Sequence, residues 1–130
     1  MRTLHLREEA PPEGHIVVIR GGVTENRSDE ELRGRAKTAE AQIGLLAQSV
    51  LLAAAADVGS ICRRDGRVSR YRRVNLSTVA RLHQAGFVLL PTLDAPHYSV
   101  VLPNLHVATI RVFRNCFDPA QPNPPSSLPA

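Results

Sequence analysis

Lysine is almost missing from this 130-residue chain: of sixteen basic side chains fifteen are arginine, and only Lys37 is lysine. Cysteine occurs twice, at Cys62 and Cys116, too sparsely for a disulfide framework or a zinc site. Both read as reduced, packed thiols. No apolar run approaches the roughly 18 to 20 residues that span a bilayer. The opening "MRTLHLREEAPPEG" has no continuous apolar stretch and carries acids early, unlike a secretory signal. The expected location is the cytoplasm, with no membrane partner. "RGGVTEN" is too short for a phosphate-binding Gly-Lys-Ser/Thr loop and lacks its lysine. There is no internal repeat. Carboxylates are scarce in the second half, where only Asp65 and Asp94 precede the tail, so a two-metal nuclease centre is not expected. No cofactor or metal is expected.

Charge is distributed unevenly. Residues 1–58 hold seven basic and nine acidic side chains, a net of −2, whereas residues 59–114 hold nine arginines against two aspartates, a net of +7. Asp118 brings the total to +4. An arginine-rich composition can follow from a GC-rich coding sequence whatever the function, but such segregation should give one part of the surface a positive field. RNA, another polyanion or an acidic protein such as an antitoxin is the expected partner.

At this length the chain should form one domain with a core of its own. "HIVVIR" (15–20) reads as a strand ended by Gly21-Gly22. "SDEE" (28–31) reads as a capping box, with Ser28 and Glu31 satisfying the first turn of a helix that carries Leu32, Ala36, Ala39 and Ile43. Residues 46–53 suit a buried strand, although the alanine run that follows favours helix. Asp57 should cap a short helix reaching Arg63. "SRYRRVNL" (69–76) reads as a strand, followed by a helix capped by Ser77 or Thr78 and ended by Gly86. Residues 87–91 and 97–102 should pair as a hairpin. Asn104 should cap a last helix with Leu105, Ala108, Thr109, Val112, Phe113 and Cys116 on one side. The expected architecture is a small α+β domain over 1–117, a mainly antiparallel sheet of four to five strands against two to three helices. The segment 118–130 holds five of the ten prolines and reads as an extended or disordered tail.

Within "DAPHYSVVLP" (94–103), strand alternation puts His97, Ser99 and Val101 on one face and Tyr98, Val100 and Leu102 on the other, the core side. His97 and Ser99 can exchange protons or bind a phosphate oxygen, and Asp94 could orient the imidazole. The bland reading is a partly exposed histidine at a strand start. "HYSV" resembles one of the two His-x-Ser/Thr motifs of the 2H phosphoesterases, but "HLRE", "HIVV", "HQAG" and "HVAT" supply no second motif.

A second resemblance is to the ADP-ribosyltransferases. Arg20 in "VVIRGG" is similar to their first-strand arginine, and Ser77-Thr78 in "NLST" to their later Ser-Thr-Ser step. That resemblance implies NAD-dependent transfer, yet the last glutamate is Glu40, so nothing downstream matches the family's catalytic glutamate.

"RRDGRVSRYRR" (63–73) gathers six arginines around Tyr71. Arginine binds phosphate bidentately and tyrosine stacks on bases, a pairing suited to RNA. Asp65-Gly66 is a turn. The leading expectation is a small, metal-independent ribonuclease or RNA-acting effector of toxin type. His97, Ser99 and Asp94 would be its catalytic residues, and Arg20, Arg70, Tyr71, Arg72 and Arg73 would contact nucleic acid. The alternative is a non-catalytic module that docks through the arginine-rich half; the third is ADP-ribosyl transfer.

Overall fold

The computed structural model describes residues 6–25 and 28–129. Its elements are β1 (Ile16–Arg20), α1 (Ser28–Ile43), β2 (Ala47–Ala53), α2 (Val58–Arg64), β3 (Arg73–Thr78), α3 (Val79–Gln84), β4 (Val88–Leu90), β5 (His97–Val101), α4 (Val107–Asn115) and β6 (Gln121–Pro122). A 3-10 turn at Ala55–Asp57 leads into α2. The strands form one antiparallel sheet in the order β4-β5-β2-β1-β3-β6. The α+β class is as expected, with six strands and four α-helices rather than four to five and two to three.

β1 is apolar from Ile16 to Ile19 because both faces of the sheet are covered there. On one face Val17, Ile19, Val50, Leu52, Tyr98 and Val100 meet Leu32 and Ala36 of α1, Val79 and Leu82 of α3, and Ile110 and Phe113 of α4. On the other, Ile16, Val18, Leu51, Val74 and Leu76 are covered by Val58 and Cys62 of α2 and by Val68. Burial of Cys62 pushes its thiol pKa up to about 11, in keeping with a packed thiol.

Several local expectations are revised. Ser28 is buried and its hydroxyl donates back to the Val23 carbonyl, while Glu31 pairs with Arg35, so the capping box does not form. The strand expected over 69–76 starts only at Arg73, because Val68, Ser69 and Tyr71 donate their N–H groups within a succession of tight turns from Asp65. Thr78, not Ser77, caps α3 by accepting from Arg81 N–H, and Gly86 ends that segment at φ +92°. Asp57 gives α2 no side-chain cap. α4 begins after His106, whose N–H is held by Asn104 Oδ1, and Ile110 and Phe113 form its buried face while Val112 is 44% exposed. The helix therefore turns differently from the expected face, with Phe113 against both Phe87 and Phe117.

Residues 118–129 are extended and attached. β6 pairs with the start of β3, and the Asn123 amide donates to the carbonyls of Cys62, Val68 and Tyr71. One polar side chain with three carbonyl partners offsets the lack of apolar surface there.

The feature that positions the site is a parting of β1 from β2. β1 pairs with β3 along its whole length, to Arg20↔Val74, and β2 pairs with β5 from Ala47 to Leu51. The β1–β2 ladder has only three rungs and stops at Val18↔Leu51. Gly21 keeps the end of β1 on β3: its N–H bonds the Arg73 carbonyl at 2.8 Å, and a Cβ there would lie 2.8 Å from that oxygen.

Candidate nucleic-acid interface

Where β1 and β2 part, a cavity of about 420 Å³ opens, within the range of small-molecule sites. Val18 and Arg20 of β1, residues 47–51 of β2, Arg35, Thr38, Ala39 and Gln42 of α1, Arg67, Val68, Leu93 and His97 line it. None of these is a carboxylate. Arg20 and His97, expected to share a site, do reach one cavity.

His97 is 4% exposed, at the start of β5 beside Leu51. Its ring is held by Thr92, not by Asp94. Nδ1 lies 3.1 Å from the Thr92 carbonyl and 3.0 Å from its hydroxyl, which in turn is 2.7 Å from Ser99 Oγ. A carbonyl only accepts, so this contact assigns the proton to Nδ1 and leaves the Nε2 lone pair free for a ligand or proton. Burial, with the nearby Arg67 and Arg7 charges adding, lowers the His97 pKa; the Thr92 carbonyl and Asp65 oppose this in part. The ring is thus kept neutral near pH 7.

Asp94 acts through its backbone: its carbonyl accepts from His97 N–H and from Arg67 Nη1. Its expected role as the group orienting the imidazole passes to Thr92. Ser99 is buried behind His97 and does not line the cavity. Arg7 clamps the same loop by donating to the carbonyls of Thr92, Leu93 and His97 at 2.7 to 2.9 Å. Leu93 is thereby held at φ 55°, a left-handed conformation costing on the order of 1–3 kcal/mol for a residue of this kind, with its side chain 55% exposed at the cavity.

Beside the cavity, Arg20 donates to the Tyr71 hydroxyl at 2.8 Å, and Arg20 and Arg70 both lie over the Tyr71 ring, at 5.4 and 5.7 Å. The Arg20 hydrogen bond is the main reason the Tyr71 pKa is lowered. Arg67 is committed elsewhere: Nε and Nη2 grip the Asp65 carboxylate, which holds Asp65 below its usual range.

Arg73 does not join this group. It projects from the opposite face of β3, donating to the Ala120 carbonyl and lying 3.6 Å from Glu25. Ser77 also faces away from Arg20, with its hydroxyl on the Cys116 carbonyl. Arg20 and the Ser77 step therefore do not meet as the ADP-ribosyltransferase resemblance implies. Thr78 shares the face of Arg20 but pairs with Ile16, at the far end of β1.

The arginines divide by their partners. Among the thirteen described, Arg7, Arg33, Arg35, Arg67, Arg73, Arg81 and Arg114 pair with carboxylates. Of the other six, Arg63, Arg64, Arg70 and Arg72 are exposed on α2 and the loop that covers the second face, and Arg20 reaches the same loop. Only Arg111, on α4, lies elsewhere.

Sequence reasoning missed Arg67, Thr92, Arg35, Gln48 and Ser49. Arg67 carried a faint signal, as the residue after an Asp-Gly turn, but nothing in "LLPTLDAP" marks Thr92 as the partner of His97. No helix among the described residues is long and apolar enough to cross a membrane, and no three His, Cys, Asp or Glu side chains are grouped to hold a metal ion. Comparison with protein-family models, curated proteins and solved structures gives no match, so the site rests on its own geometry.

Proposed function

We propose that this protein is a small RNA-acting effector of the cytoplasm, which binds single-stranded RNA on the arginine face of α2 and the 65–72 loop and cuts it without a metal ion. The observation that carries the reading is the gathering of Arg63, Arg64, Arg70 and Arg72, which have no carboxylate partner among the described residues, on α2 and the 65–72 loop, where Tyr71 meets Arg20 at the edge of a cavity also lined by His97. Guanidiniums with no carboxylate partner among the described residues are available for phosphates, and Tyr71 between two of them offers a ring for a base. Asp94, Ser99 and Arg73 drop out of direct roles. Thr92 takes over as the positioning residue.

In the cleavage step, neutral His97 Nε2 accepts the proton of a ribose 2′-OH as that oxygen attacks phosphorus. The 5′-oxygen leaves with a proton from water, and a 2′,3′-cyclic phosphate forms. Arg20 stabilises the charge on the non-bridging oxygens. The test is incubation of single-stranded RNA with the protein in EDTA: cyclic phosphate ends should appear and be lost in His97→Ala. RNA cut equally by that variant would exclude His97 as the base.

The burial of His97, and its neutral threonine partner in place of a carboxylate, favour a second reading: a non-catalytic module that docks on RNA or an acidic protein such as an antitoxin. Binding and product measured on the same RNA separate the two, since salt-sensitive binding without product belongs to the module. NAD-dependent transfer would instead release nicotinamide, and its arginine and serine step lie on opposite faces here.

A further inference from the structure

Where β1 follows β3, it leaves the start of β2 as a strand edge without a neighbour. The alternation of the backbone identifies the groups concerned. Leu102 N–H bonds the Leu46 carbonyl and Leu52 N–H bonds the Pro96 carbonyl, so the N–H and C=O groups of Gln48 and Val50 point toward β5. Those of Ala47, Ser49 and Leu51 point the other way, toward β1. On β1, the Gly21 N–H on the Arg73 carbonyl fixes the same alternation, with Ile16, Val18 and Arg20 turned toward β2. Leu51 accordingly meets Val18, but the next pair, Ser49 with Arg20, is not made. Among the described residues, the N–H and C=O of Ala47 and Ser49 have no hydrogen-bond partner. Both residues line the cavity, and Ser49 is exposed there. An open strand edge of this kind is a template for another chain.

We propose that this notch is a docking site for an extended, acidic peptide, which pairs as a missing strand with Ala47 and Ser49 and places a carboxylate on Arg20. The occupant follows from the groups on offer. A donor and an acceptor recur at every second residue of the β2 edge, and an extended peptide returns an acceptor and a donor at that same spacing. A phosphate brings only acceptors and leaves the two carbonyls unmet. Charge selects the side chain. Residues level with one another on adjacent strands share a face, so the peptide residue opposite Ser49 projects to the side of Ser49 and Arg20. No carboxylate lines the cavity. Of its three arginines, Arg35 is paired with Glu31 and Arg67 with Asp65, whereas Arg20 has no carboxylate partner among the described residues. An aspartate or glutamate opposite Ser49 supplies one. The docking goes beyond the RNA reading and shares only Arg20 with it, so a bound peptide would exclude an RNA phosphate from that guanidinium.

The test is an NMR titration of the isotope-labelled full chain with end-blocked pentapeptides at millimolar concentration. The probes are Thr-Val-Glu-Val-Thr, its central-Gln counterpart, and the Glu peptide N-methylated at its central residue. The Glu peptide should shift the Ala47 and Ser49 amides and slow their exchange with water. The Gln peptide should bind about tenfold more weakly, the loss expected for one charge-assisted hydrogen bond, and the N-methylated peptide should not bind. Arg20→Met should bring the Glu peptide down to the affinity of the Gln peptide and leave the latter unchanged. Ser49→Pro removes an N–H that no ladder bond uses and should weaken both peptides. No shift at Ala47 and Ser49 with the Glu peptide in wild type, or equal binding of its N-methylated form, would overturn the proposal whatever the variants do. The same amides shifted by oligouridylate and not by peptide would give the notch to nucleic acid and overturn it too. Peptide bound as expected, with RNA neither bound nor cut, would keep the docking site and remove the RNA reading.

Discussion

In the proposed cleavage, His97 is where the chemistry and the stability of this chain meet. A neutral imidazole with Nδ1–H on the Thr92 carbonyl is oriented as a base at Nε2, and the burial that keeps it neutral also couples folding to pH. Its folded pKa lies below the value of about 6.5 for a free histidine. Stability is therefore fully present above that value and falls as pH drops through it toward the folded pKa. Denaturant midpoints measured between pH 8 and pH 5 should decline on the acid side. His97→Gln should flatten that decline; a slope unchanged in the variant would mean His97 is not the group responsible. Thr92→Val keeps the shape and the carbonyl of residue 92 but removes the hydroxyl shared by His97 and Ser99. If Thr92 positions the imidazole, RNA cleavage by Thr92→Val should fall while RNA affinity holds. An equal loss of both would point to a folding defect instead.

The elements that carry the site are held by a few polar ties, and these were the least legible part of the sequence. Asn123 joins the chain end to the 62–71 loop through three carbonyls, and that loop presents Tyr71 and the free arginines. Asn123→Ala should cost about 2 kcal/mol, as expected for losing several partly buried hydrogen bonds, and speed amide exchange at Val68 and Tyr71. Unchanged exchange there would mean β6 pairing alone fixes the loop. Gly21→Ala should destabilise by a similar margin, about 2 kcal/mol, because its Cβ would meet the Arg73 carbonyl at 2.8 Å. Thermal denaturation reads this directly. By contrast β1, β2, β5 and the α3–β4–β5 run were readable, because short apolar runs, Thr78 and Gly86 are local signals. The parting of β1 from β2 was not, since it depends on Gly21 following β3 across 52 positions of chain. Nor was the late start of β3: arginine and tyrosine suit a strand locally, but the turns after Asp65 depend on Arg67 gripping its carboxylate. The histidine and Arg20 were singled out from sequence, whereas Thr92, Arg67 and the cavity needed the tertiary structure.

Across the whole molecule the charge asymmetry of the sequence becomes an asymmetry of faces. Glu25, Asp29, Glu30 and Glu31 lie at or before α1, and each pairs with an arginine there or on a neighbouring element. The arginines left over gather on the face covered by α2 and the 65–72 loop. Arg111, equally without a carboxylate but on α4, is a control for charge without position. The measurement that tests the central claim most directly is the affinity for single-stranded RNA across a salt series, compared between wild type, Arg70→Gln/Arg72→Gln and Arg111→Gln. The arginine face predicts that log affinity falls steeply with log salt in wild type and that the double variant binds more weakly, with a slope shallower by about 1 to 2. Arg111→Gln should track wild type. Equal losses in the two variants, or no binding of RNA at low salt, would contradict the account.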